Sequence, residues 1–182
     1  MAQVEVVLRG LTHIKENIMN LNVLRLEAAW ACRDNNSQSS SVHTVYGIEG
    51  EGITIRADYD VVSNILMVVF ENEHRGPSGA PESDFGIEAG TYSAYINCAE
   101  ALTEEHLRSM MELSADGKRP KVVFTGWAWG GALAMLAAAH LRPDHLITFG
   151  QPPVISKFRM FVDRYPAFRH VMYDRVTLSG DK

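Results

Sequence analysis

Apolar positions along this chain follow two periods. Over residues 4–32, Leu8, Leu11, Ile14, Ile18 and Leu21 recur at spacings of three and four, which is one apolar helix face. Leu24, Leu26, Ala28, Ala29 and Trp30 continue it, with Asn20 to Asn22 as the point where a break is expected. Residues 33–41, RDNNSQSSS, are a polar loop. The period then shortens. Thr44 to Ile48, Ile53 to Ala57 and Ile65 to Phe70 are predicted strands, with turns at Gly50 to Gly52 and at Asp58 to Asn64. They are expected to run antiparallel into the sheet. Ile65 to Phe70 is apolar without interruption, which suits a central strand buried on both faces.

Glu71 to Gly86 is a polar connection rich in Gly, Pro and Glu, expected to be exposed. Tyr92 to Leu113 has an apolar face of helical period, and Ser114 to Pro120 is a turn. Val122 to Thr125 then runs into Gly-x-x-x-Gly-Gly (126–131), an Ala-rich helix, and a second apolar run from Leu146 to Phe149. Strand, tight turn, helix, strand is a βαβ unit and implies parallel strands. Residues 155–165 are predicted as a short helix ending near Pro166, and Phe168 to Tyr173 as a last strand. The chain shows no internal repeat, coiled coil or low-complexity tract. The pattern predicts a single α/β domain over residues 1–182, with residues 1–32 as an N-terminal helical segment and a largely parallel sheet.

Size and charge narrow the function classes. A chain of 182 residues is long enough to bury a core. A net charge of −5 gives no electrostatic reason to expect nucleic acid or an anionic membrane as partner. Two cysteines, Cys32 and Cys98, lie in apolar helical runs and are expected as buried free thiols, not a disulfide framework. The start, MAQVEVVLRG, lacks the features of a signal peptide, and no stretch reaches transmembrane length. An intracellular location follows as the expectation. No His/Cys/Asp/Glu spacing points to a metal site, and no motif calls for a cofactor.

Chemistry is expected at the glycine turn. Gly126 and Gly130 bracket a central residue as in the Gly-x-Ser-x-Gly nucleophile elbow. That central residue is Ala128, which has no oxygen to attack a carbonyl. Around it, Phe124-Thr125-Gly126, Gly130-Gly131-Ala132-Leu133-Ala134 and Thr148-Phe149-Gly150-Gln151-Pro152 resemble the class 3 lipases, a branch of the α/β-hydrolases. That family usually has Thr-Gly-His-Ser-Leu-Gly-Gly-Ala-Leu-Ala and then Thr-Phe-Gly-x-Pro-Arg-Val-Gly. Ala89 to Tyr95 resembles its segment leading into the helix before the elbow, and Ile65 to Phe70 its strand before the oxyanion loop. Phe168 to Val176 resembles the strand that delivers the catalytic Asp, which puts that role on Asp174. The resemblance spans residues 40–177 in a set order. It implies an α/β-hydrolase-like fold, a mostly parallel central sheet with flanking helices, incomplete at the C-terminus.

The departures from the family pattern bear on activity. Hydrolysis in this family needs a Ser nucleophile, a His base, an Asp that orients it and an oxyanion hole. Trp127-Ala128-Trp129 stands where His-Ser-Leu is usual. Glu71-Asn72-Glu73 replaces the Arg-Gly-Thr after the oxyanion strand, and a carboxylate there opposes a developing oxyanion. The family His lies well beyond the Asp strand, and this chain stops at Lys182. The connection over residues 71–88 has few apolar residues for docking on lipid. Among the seven histidines, His74 in that connection is the one placed near the expected mouth. His140 and His145 flank the far end of the elbow helix. His170 is separated from Asp174 by four residues, about 13 Å along one strand. His13, His43 and His106 have no motif context.

Ala128 has three readings: natural loss of the nucleophile, an engineered Ser→Ala, or a likeness of fold alone. The altered flanks and the absent His segment favour natural loss. Trp127 and Trp129 either hold the turn by packing or plug the former site and make protein contacts. Without a His partner, Asp174 is expected to be capped or to sit in an ion pair, with Arg169 or Arg175 as the candidate cations. The resulting expectation is a pseudo-hydrolase acting as a structural or interaction module. Its partners would be protein subunits or further copies of itself, as in a larger assembly such as a virus particle. The alternative is a serine ester hydrolase silenced at residue 128, acting on a small-molecule ester. A third reading, a binder of a lipid or acyl chain, needs an open apolar pocket beneath Ala128.

Overall fold

A computed structural model of the chain describes residues 28–29, 42–50, 53–72, 117–153 and 155–177. The predicted helix over 92–113, the loop over 33–41, both cysteines, His74, and most of the helix over 4–32 lie outside them. Six strands form one sheet in chain order: β1 (Val42–Gly50), β2 (Ile53–Asp60), β3 (Ile65–Asn72), β4 (Lys121–Trp127), β5 (His145–Phe149) and β6 (Met172–Val176). The first two pairings are antiparallel and the last three parallel. Helix α1 (Trp129–Leu141) joins β4 to β5. Helix α2 (Phe158–Arg164) and a 3-10 turn (Pro166–His170) join β5 to β6. The predicted α/β class, with a mixed and mostly parallel sheet, is what the chain adopts.

The strand pattern has a plain cause. Ile55, Ala57 and Tyr59 of β2 are buried while Thr54, Arg56 and Asp58 alternate with them, as a strand covered mainly on one face requires. Strand β2 extends past its predicted end at Ala57 to Asp60. The turn is confined to residues 61–64 because Asp60 closes it: its carboxylate accepts from the Val62 amide at 3.1 Å and from the Ser63 hydroxyl at 2.5 Å. Asn64 takes the left-handed conformation, φ 54°, and its side chain accepts from the Tyr59 hydroxyl at 2.9 Å. Asn is among the few residues that adopt this φ at low cost.

The central strands β3 and β4 are buried on both faces. Leu66, Val68, Phe70, Val122, Phe124 and Leu146 join α1 in one core. Met67, Val69, Val123, Ile147 and Phe149 form a second core on the opposite face, with helical Ala28 fully buried among them. Helix α1 is buried from Gly130 through Ala139, which explains its Ala-rich, non-amphipathic composition.

Boundaries also move toward the C-terminal side of the domain. The last strand, expected over Phe168 to Tyr173, is Met172–Val176. Pro166 opens the 3-10 turn, where its fixed φ fits and its missing N–H costs nothing. Phe168 and His170 therefore belong to that turn, and the apolar side chain of Phe168 fills the α1-side core against Phe161, at 5.6 Å between ring centroids. The helix expected over 155–165 is shorter, Phe158–Arg164.

The starts of the parallel strands are tied by Asp144. Its carboxylate accepts from the Val122 amide at 2.8 Å, its own amide donates to the Val122 carbonyl at 2.9 Å, and its carbonyl accepts from Met172 at 3.3 Å. Asp144→Ala is expected to cost about 1–2 kcal/mol in urea unfolding, through loss of the charged acceptor for the Val122 N–H. His145, next along the chain, is held below its ordinary pKa by burial and by Lys121, with Asp144 opposing. The folded state therefore binds the proton less readily than the unfolded state. Its contribution is complete at neutral pH and is lost as pH falls below the ordinary imidazole value, about 6.5, down to the lowered folded value. His140 acts with the same sign through burial. Stability measured across this range should fall less steeply in His145→Gln.

Candidate functional site

The site is built where β4 passes into α1. Ala128 sits at the apex with φ 49° and ψ −117°, a conformation that a residue bearing a β-carbon rarely adopts. Its amide donates to the Phe149 carbonyl at 2.8 Å, and its carbonyl accepts from the Ala132 amide at 3.3 Å. The turn is closed by two glycines. A β-carbon on Gly126 would run into the Gly130 carbonyl group, and one on Gly130 into the Phe70 carbonyl oxygen. The spacing of Gly126 and Gly130 thus records a direct crossing of the helix start over β4 and β3.

The two flanking tryptophans diverge. Trp127, the last residue of β4, is half-exposed and stacks on Phe149, with centroids 5.9 Å apart and planes at 12°. Trp129 opens α1 and is partly buried against the α1-side core. Each is engaged in packing that supports the turn. The Glu71 Cα would be 3.1 Å from a β-carbon on Gly130, so an acidic residue adjoins the elbow where β3 ends.

Asp174 lies at the centre of β6. In register it is level with Ile147 and, one strand further, with Thr125. Of the two cations expected beside it, Arg169 pairs with Asp163 at 2.6 Å, and Arg175 donates to the Gln151 carbonyl at 2.5 Å. The described histidines with placed side chains are His140, His145 and His170, and they gather at the other end of the domain. His145 begins β5, opposite Val123, four residues before the Trp127–Phe149 pair, or about 13 Å along the strand. His140 is in the last turn of α1, twelve residues after Ala128, about 18 Å along the helix axis. His170 precedes β6, in the turn and not on the strand.

One polar group behind the elbow was not singled out from sequence. Gln151 is buried and receives the Tyr173 hydroxyl at 3.1 Å, while its amide nitrogen lies 3.6 Å from the Met135 sulfur. Its β-carbon would be 3.3 Å from one placed on Gly131. Burial raises the Tyr173 pKa, which the Thr148 hydroxyl and Arg175 oppose. The group ties the loop after β5 to β6 and to α1. The sequence offers only a glutamine one residue beyond the apolar Leu146–Phe149 run, after Gly150, where a loop facing water gives no reason for burial. Among the described residues, no three His, Cys, Asp or Glu side chains are grouped to hold a metal.

A strand, a glycine-closed elbow and a buried helix on a mixed sheet define an α/β-hydrolase-type scaffold. The family model for lipase (class 3) matches residues 54–181, and the chain belongs to that family. No curated protein matches it by sequence. Among solved structures, the Lip2 lipase of Yarrowia lipolytica aligns with TM-score 0.66 and 18% identity, covering 90% of this chain and 72% of the lipase. The Rhizomucor miehei lipase–propeptide complex aligns with TM-score 0.60 and 17% identity, covering 75% of this chain and 49% of that one. Lipase II from Rhizopus niveus gives 0.62 and 16%, covering 81% and 62%. The chain thus spans about half to three quarters of the lengths of these lipases, and the likeness is one of fold.

The strained apex gives a direct test. Ala128→Gly removes the β-carbon from a positive-φ position and is expected to stabilise the domain by about 0.5–1 kcal/mol. Gly130→Ala drives a β-carbon into the Phe70 carbonyl and should cost upwards of about 3 kcal/mol. Urea midpoints of the two variants against the parent chain read both signs.

Proposed function

We propose that this domain is a catalytically inactive member of the class 3 lipase family that serves as a structural or protein-interaction module. The observation that carries the reading is Ala128 at the apex of the elbow. The position from which a nucleophile would attack holds a methyl group. Two further observations support it. The described histidines His140, His145 and His170 sit at the opposite end of the domain from Ala128. Glu71 adjoins the helix start where an oxyanion would need positive potential. Other protein chains, or further copies of this one, are then the partners.

A second reading is supported by the retained geometry. Ala128 keeps the elbow conformation, so a serine at this position would be presented as in an active hydrolase. On this reading the chain is a carboxylic ester hydrolase silenced at residue 128.

Hydrolysis of p-nitrophenyl butyrate by the parent chain and by Ala128→Ser separates the two. The interaction-module reading expects both at the uncatalysed background while the Ser protein keeps its urea midpoint. Turnover restored by serine alone, by a factor on the order of 10³ or more, would require a working base and oxyanion hole and would sink the reading.

A further inference from the structure

We draw no further inference here: the strongest candidate, the exposed Val61–Val62 pair on the β2–β3 turn at the amino ends of the parallel strands, is an apolar surface patch, and nothing in the structure shows what covers it.

Discussion

The domain depends on one close crossing: the first turn of α1 lies against the carbonyl end of β3 with no side chain between them. Gly130 faces the Phe70 carbonyl, and Gly126 faces Gly130. That approach lets α1 lie flat over the centre of the sheet. A helix so placed is surrounded by protein, and ten consecutive residues from Gly130 to Ala139 are buried. Small side chains on α1 then pack against branched and aromatic ones on the strands. Phe70 and Phe124 pack tilted at 5.2 Å beneath it. The position of β5 follows, because α1 must return the chain to the sheet beside β4.

How much of this was legible in the sequence depends on whether a local period or a distant contact decides each element. Strand β4, the glycine turn, α1 and β5 were legible because an apolar run, a fixed glycine spacing and an alanine helix each signal locally. Sequence alone makes the β2–β3 turn too long because Asp58 and Asp60 look like turn residues, and only the three-dimensional turn shows Asp60 acting as its cap. Sequence alone starts strand β6 too early because Phe168 is apolar and follows a proline. Its apolarity serves the α1-side core from a 3-10 turn, a distant contact that periodicity does not reveal. The elbow itself was legible to the residue. The buried Gln151–Tyr173–Met135 group was not, since its partners lie 16 and 22 residues away.

The polarity of the sheet places the described histidines with placed side chains away from the elbow. In a parallel βαβ unit the elbow forms at the carboxyl ends of the strands, and ligands bind there. His145 begins β5, and His140 closes α1, so both belong to the amino ends of the strands by construction. Burial at that end, with Lys121 adding to it and Asp144 opposing, lowers the pKa of His145. The same topology that makes Asp144 a clamp for three strands therefore makes these histidines part of the foundation. No rotamer change carries an imidazole across more than 10 Å of strand.

The elbow's strain is usually explained by what a nucleophile gains from it, yet here the strain persists with alanine at the apex. A backbone held in such a region costs on the order of 1–3 kcal/mol, a substantial fraction of a typical domain's net stability of roughly 5–15 kcal/mol. Something other than chemistry must offset it. The contacts available are the Ala128 amide on the Phe149 carbonyl, the two glycine approaches and the burial of α1. All of these arise from sending a strand directly into a helix over its neighbour. The apex conformation is thus accounted for by the fold's crossing geometry, whatever side chain the apex carries. It follows that elbow geometry in a member of this family is evidence of ancestry and packing. Evidence of hydrolysis must come from the atom at the apex and from a base within its reach.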